Sequence, residues 1–140
     1  MICLDTNAAI AVLKDVASPV LSRFEDALLN KIPMAVSSIV LFELQYGVMK
    51  SRERAGNAAR IAEFSSGPVQ VLDFDAEDAE EAGEIRATLK RAGTPIGPYD
   101  ILIAAQARRR DALLVTANTR EFRRIPGLQI EDWTKALREE

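Results

Sequence analysis

Carboxylates must carry whatever acid, base or metal chemistry this chain performs. Its 140 residues include no histidine and a single cysteine, Cys3. That removes a histidine base, a Ser-His-Asp triad, the usual nitrogen ligands of zinc or copper, and any internal disulfide. Cys3 lies in an apolar run and reads as a small buried hydrophobe. Three acids stand out by their settings. Asp5 ends the run Ile2-Cys3-Leu4, Glu43 sits inside Ile39-Val40-Leu41-Phe42-Glu43-Leu44, and Asp100 follows Gly97-Pro98-Tyr99 and precedes the apolar stretch Ile101 to Ala105. Each has an ordinary structural use. Asp5 can cap a helix, Asp100 complements a helix dipole, and Glu43 can pair with a lysine or arginine. Glu43 is the hardest to dismiss, because Ile39, Val40, Leu44 and Gly47 are expected on the packed side of its helix. An uncompensated carboxylate there costs several kcal/mol. Asn118, just past Leu113-Leu114-Val115, is a fourth polar candidate, with an Asx turn or cap as its plain use.

Convergence of Asp5, Glu43 and Asp100 would define a chemistry. Two carboxylates about 5 Å apart repel by roughly 3 kcal/mol at an effective dielectric near 20, so the cluster would hold protons or a cation. Oxygen donors without imidazole or thiolate favour hard Mg2+ or Mn2+. A dication with open positions accepts a phosphate oxygen and activates water for in-line attack on phosphorus, which is nuclease chemistry without histidine.

The elements that must position these acids alternate along the chain. Short strands are expected at 2–4, 34–36, 69–72, 113–115 and 128–130. Helices are expected at 8–13, 18–29, from Ser37-Ser38 to about Lys50, at 55–64, from Asp75 to about Arg91, and from Pro98 to Arg110. Strands separated by helices imply right-handed crossovers, so the fold class is α/β with a mostly parallel sheet covered on both faces. Ligands then sit outside the carboxyl ends of the strands. Asp5 and Asn118 fall at such ends.

Residues 1–140 make one domain: 48% hydrophobic against 28% charged suits an ordinary globule. No apolar run approaches the roughly 20 residues that span a bilayer and no signal peptide opens the chain, so a cytoplasmic protein is expected. The net charge of -3 hides an uneven distribution. Residues 73–84 hold seven acids and no base, whereas Arg86 to Arg124 hold nine bases against three acids. That basic stretch either contacts a polyanion or is solvated helix surface.

Four segments carry a family likeness. Ile2-Cys3-Leu4-Asp5-Thr6-Asn7, the run Val36 to Gly47 around Glu43, Gly93 to Ala105 around Asp100, and Leu114-Val115-Thr116-Ala117-Asn118-Thr119-Arg120-Glu121-Phe122 together resemble the PIN-domain ribonucleases of the VapC toxin family, in order and at the family's spacings, from Met1 to about Trp133. The resemblance implies a PIN-like α/β/α sandwich and an endoribonuclease dependent on Mg2+, with Mn2+ as substitute. It also implies a toxin held inactive by a cognate VapB-type antitoxin, and a homodimer. Asp5, Glu43 and Asp100 match the family's acidic metal-binding positions. Asn118 matches a fourth position that is often Asp; its uncharged amide implies one well-held ion and a weaker second. Thr6 and Thr116 match hydroxyls that act behind the metal ligands or place water, and Arg86 matches a phosphate contact or a solvated helix arginine. The expected products carry 5'-phosphate and 3'-hydroxyl ends. The antitoxin's tail would lie across helices near the site, with apolar residues among Val20 to Leu29 and Ile39 to Val48 forming its groove or simply the core.

Two other readings share parts of this pattern. A receiver-type Mg2+-binding signalling domain would need an early acid pair and a lysine after a late strand, and Ala117-Asn118 offers none. A non-catalytic PIN-fold interaction module would keep the fold without cutting RNA.

Overall fold

The computed structural model describes residues 1–135; the end of the expected domain, residues 136–140, lies outside the described residues. Five short strands form one sheet: β1 (Ile2–Leu4), β2 (Met34–Ser37), β3 (Val69–Leu72), β4 (Leu113–Val115) and β5 (Gln129–Glu131). Their order is β3-β2-β1-β4-β5 and every pairing is parallel, so the expected mostly parallel sheet is wholly parallel here. Each strand lies close to where hydrophobic patterning placed it, with β5 displaced by one residue. Parallel strands covered on both faces are apolar on both sides, and β1 is buried throughout, with Leu4 fully so.

Seven helices connect the strands: α1 (Thr6–Leu13), α2 (Pro19–Leu29), α3 (Ser38–Lys50), α4 (Arg54–Ser66), α5 (Ala76–Arg91), α6 (Pro98–Arg109) and α7 (Thr119–Phe122). Their starts follow the local chemistry of the chain. Asp5 Oδ1 accepts from the Ala8 N–H at 2.8 Å to cap α1, and Ser37 Oγ accepts from the Ile39 N–H at 2.9 Å to cap α3. At α5, Asp75 and Asp78 form a reciprocal capping box. Pro98 occupies the first turn of α6, where its missing N–H costs nothing. α5 gives way to Gly93, whose φ of +72° suits a residue without a Cβ.

The strand order decides where a site can form. The chain moves outward from β1 through β2 to β3, then crosses back to place β4 on the other side of β1. The crossovers diverge between β1 and β4, leaving a crevice at their carboxyl ends. Asp5 directly follows β1 and Thr116 directly follows β4, with the Asp5 N–H donating to the Val115 carbonyl at 3.1 Å. Asp132 follows β5, the next strand along.

The packing of α5 on α6 divides the basic stretch into two parts. Asp78 is fully buried and accepts from Arg110 at 2.9 Å and from Gln106 Nε2 at 3.1 Å, while Arg109 lies 2.9 Å away. Arg109 also donates to Asp75 at 2.7 Å, and Arg108 bridges Glu81 and Glu84. The acidic run and the Arg108-Arg109-Arg110 triplet, separate in the sequence, thus compensate one another across two helices. Arg86 and Lys90 remain exposed, and among the described residues neither forms an ion pair.

Candidate active site

Asp5 has both its structural use and a place among the acids. Its carboxylate is 6% exposed and caps α1. Burial pushes its pKa up; the neighbouring Thr116 hydroxyl and the Ala8 N–H pull it down, and the charges of Glu43 and Asp132 push it up again, leaving it raised. Asp5 is therefore a buried acid that shares a field with Glu43, 38 positions further along the chain.

Glu43 lies in the middle of α3, between the core residues Val40 and Leu44. Gly47, expected on the packed side, is exposed, and Glu43 itself stands at the boundary of core and solvent. This follows from the narrow buried stripe of α3, which is confined to Val40, Leu44 and Val48. Among the described residues no lysine or arginine pairs with Glu43. Instead the Thr6 hydroxyl donates to Glu43 Oε1 at 2.8 Å, joining the first residue of α1 to α3.

Asp100 is the third residue of α6 and is raised to about 6. Burial is the main cause, followed by the charges of Asp5, Glu121 and Glu43, all acting in the same direction. The charges of Asp5 and Glu43 thus both act on Asp100, although 95 positions separate Asp5 from it.

Glu121 is an acid that sequence reasoning passed over. The fourth candidate, Asn118, stands at the start of α7 without capping it. Its Nδ2 donates to Glu121 Oε2 at 3.0 Å, and its N–H donates to Thr116 Oγ1 at 3.0 Å. Glu121 also raises Asp100 through its charge, from a position one helical turn beyond the residue that matched the family position. The spacing of three between Asn118 and Glu121, which puts both on one helix face, was the available signal. Thr116 is fully buried beside Asp5, whereas Arg86 lies on the exposed side of α5.

The donor set fits a hard divalent cation. Its groups are carboxylate oxygens and hydroxyls, the two strongly placed acids are raised toward neutrality, and the influences on Asp100 all oppose its charge. Among the described residues no three acids or cysteines stand close enough together to enclose an ion as they are placed. Uncompensated like charges repel, and a cation between them would reverse that repulsion.

A model of the PIN domain matches residues 2–128 of the sequence. The chain belongs to the PIN-domain family. This PIN domain is 47% identical over 131 residues to the tRNA(fMet)-specific endonuclease VapC of Shigella flexneri, covering 94% of this chain and 96% of that one. It is 39% identical over 132 residues to a ribonuclease VapC2 of Rickettsia felis, covering 94% of this chain and 97% of that one. Its fold is similar to that of a DNA-bound VapBC from Salmonella typhimurium, with a TM-score of 0.85 at 46% identity over 94% of this chain and 97% of the other. The PIN-like α/β/α sandwich anticipated from the four segments is the architecture observed, and the receiver alternative falls with the family match. Among the described residues, no helix of this PIN domain is long and apolar enough to cross a membrane.

Proposed function

We propose that this PIN domain is a divalent-metal-dependent endoribonuclease and the toxin of a VapBC-type toxin-antitoxin module, acting in the cytoplasm as a single domain over residues 1–140. One observation carries the reading: the charges of Asp5 and Glu43, remote in sequence, both act on Asp100. VapC ribonucleases at 39–47% identity over nearly the whole chain support it.

Asp5, Asp100 and Glu43 would hold Mg2+, or Mn2+ in its place, Glu43 directly or through water. Bound there, the ion supplies charge neutralisation at phosphorus and lowers the pKa of attacking water. The chain's own groups do the positioning. Thr6 orients Glu43, Thr116 holds the backbone after β4 beside Asp5, and Asn118 turns Glu121 toward the acids. Asn118 and Glu121 together replace the single acid expected at the fourth position. Attack by external water leaves 5'-phosphate and 3'-hydroxyl ends.

RNA is the substrate we infer, and transfer RNA is the first class to assay, since two relatives at 47% identity carry tRNA(fMet)-specific names. A VapB-type antitoxin is the inferred partner, as solved relatives are VapBC complexes. A cavity of about 290 Å3 lined by Ile10, Leu13, Lys14, Glu43, Arg60 and Ile61 offers its tail a mainly apolar seat that reaches Glu43. A homodimer is inferred from the family resemblance.

Purified full-length chain incubated with total RNA of the native host tests the reading. Cleavage that needs Mg2+ or Mn2+, stops with chelator and is absent from Asp5→Asn supports it. Absence of cleavage by the intact protein favours a non-catalytic PIN-fold module.

A further inference from the structure

A second cavity of about 290 Å3 lies between α5 and the start of α6. Phe74, Ala82, Gly83, Arg86, Tyr99 and Leu102 line it. Its volume is at the small end of ligand sites, the scale of one planar heterocycle. Tyr99, the residue before Asp100, is 48% exposed, and it packs edge-on against Phe42, the residue before Glu43, with ring centroids 5.6 Å apart at 63°. Phe42 is itself 53% exposed, so α3 and α6 hold two aromatic side chains in a fixed relation at the surface.

Charge identifies the occupant. Arg108, Arg109 and Arg110 are taken up by the acids of α5, and Arg86 at the cavity wall is among the bases left over. Lys90, one turn along α5, and Arg86 both line the adjoining cavity with Pro95 and Pro98. An apolar slot with an aromatic wall and a cationic rim matches an unpaired base attached to a phosphate. A purely apolar protein segment would leave the cations uncompensated.

We propose that this slot receives one unpaired nucleobase of the RNA, stacked against Tyr99 with the adjoining phosphate on Arg86. The proposal rests on the ribonuclease reading and extends it from the reacting phosphate to a nucleotide held outside the acid cluster. Gly83 makes it testable without touching the acids. A Cβ at Gly83 meets nothing within 4 Å, so the backbone accepts a side chain that projects into open space at the cavity. Gly83→Trp should fill the slot, and Gly83→Ala should leave it open.

Binding is measured by fluorescence anisotropy of a labelled short single-stranded RNA in chelator, which separates binding from cleavage. The matching strand with abasic sites serves as the second probe. Gly83→Trp and Tyr99→Ala should each weaken binding of the intact RNA about tenfold, the range of one lost base stack. Both should abolish its advantage over the abasic strand. Gly83→Ala should bind as the unaltered protein does. Arg86→Gln should weaken both strands alike and lower the salt slope by about one. Equal binding of intact and abasic RNA by the unaltered protein, or Gly83→Trp within about twofold of it while folded by circular dichroism, overturns the proposal. A change of mass in solution on Tyr99→Ala assigns the slot to a second copy of the chain and also overturns it. If the unaltered protein neither binds nor cuts RNA, the ribonuclease reading itself fails; if it cuts RNA and the slot variants cut and bind normally, only the slot assignment fails.

Discussion

Thr6 Oγ1 donates a hydrogen bond of 2.8 Å to Glu43 Oε1, tying the first turn of α1 to the middle of α3. Glu43 has no other polar partner among the described residues' hydrogen bonds, so this contact sets its rotamer. Replacing Thr6 by Val keeps the shape and removes the donor. We expect kcat/KM for RNA to fall about tenfold, while urea unfolding changes by about 1 kcal/mol, the net worth of a partly exposed hydrogen bond. Activity equal to the unaltered protein would show that Glu43 needs no such orientation.

Asp5→Asn and Asp100→Asn should both abolish cleavage. In chelator at pH 7, Asp100→Asn should also raise the melting temperature, because it removes a charge that burial, Asp5, Glu121 and Glu43 all disfavour. Asn retains capping ability at position 5, so α1 should stay folded in Asp5→Asn. Circular dichroism melts alongside RNA cleavage separate loss of chemistry from loss of fold. A melting temperature lowered by Asp100→Asn would contradict the repulsive cluster.

The raised Asp100 has a definite pH signature. Its folded pKa of about 6 exceeds the ordinary 3.8, so between these values the native state binds more protons than the unfolded one. Stability attributable to this group is therefore lost as pH rises from about 4 to about 6, and below that window it is fully present. In chelator the protein should melt higher at pH 5 than its other acids alone would allow, and Asp100→Asn should flatten the profile. Added Mn2+ should stabilise the protein increasingly from pH 5 to 7, as protons cease to compete for the carboxylates. Calorimetric titration in two buffers would detect the released proton.

The α5 and α6 helices are pinned by a buried charge, so Asp78→Ala should be among the most damaging changes outside the active site. It removes the carboxylate paired with Arg110 and one of those around Arg109, together with one of the two acceptors of Gln106 Nε2 and the acceptor of the Asp75 N–H. Removing one partner of a buried pair costs roughly 3–5 kcal/mol. Denaturant titration should show that loss, whereas Glu77→Ala, whose side chain is 78% exposed, should change stability little.

Much of the candidate site was legible because its acids stand at points where local chemistry is restrictive. Asp5 ends an apolar strand, Asp100 follows a Gly-Pro helix start, and Glu43 interrupts a hydrophobic run, each a setting where a carboxylate needs a reason. The strands and helix starts were legible for the same cause: buried parallel strands read as short apolar runs, and caps are nearest-neighbour chemistry. Glu121 escaped because its one signal, the spacing of three from Asn118, is shared by any surface helix acid at that position. Only the placement of β4 beside β1 turns that helix toward Asp100. The basic stretch likewise looked uniform along the chain. The packing of α5 on α6 alone separates Arg108, Arg109 and Arg110, which neutralise buried or nearby acids, from Arg86, which faces a cavity. Sequence by itself determined which elements form and which acids stand in restrictive local settings, since both are governed by residues within a turn or a strand. Tertiary structure decided which charges share a field, because electrostatic coupling depends on distance through space and on burial, and neither is written in the order of the residues.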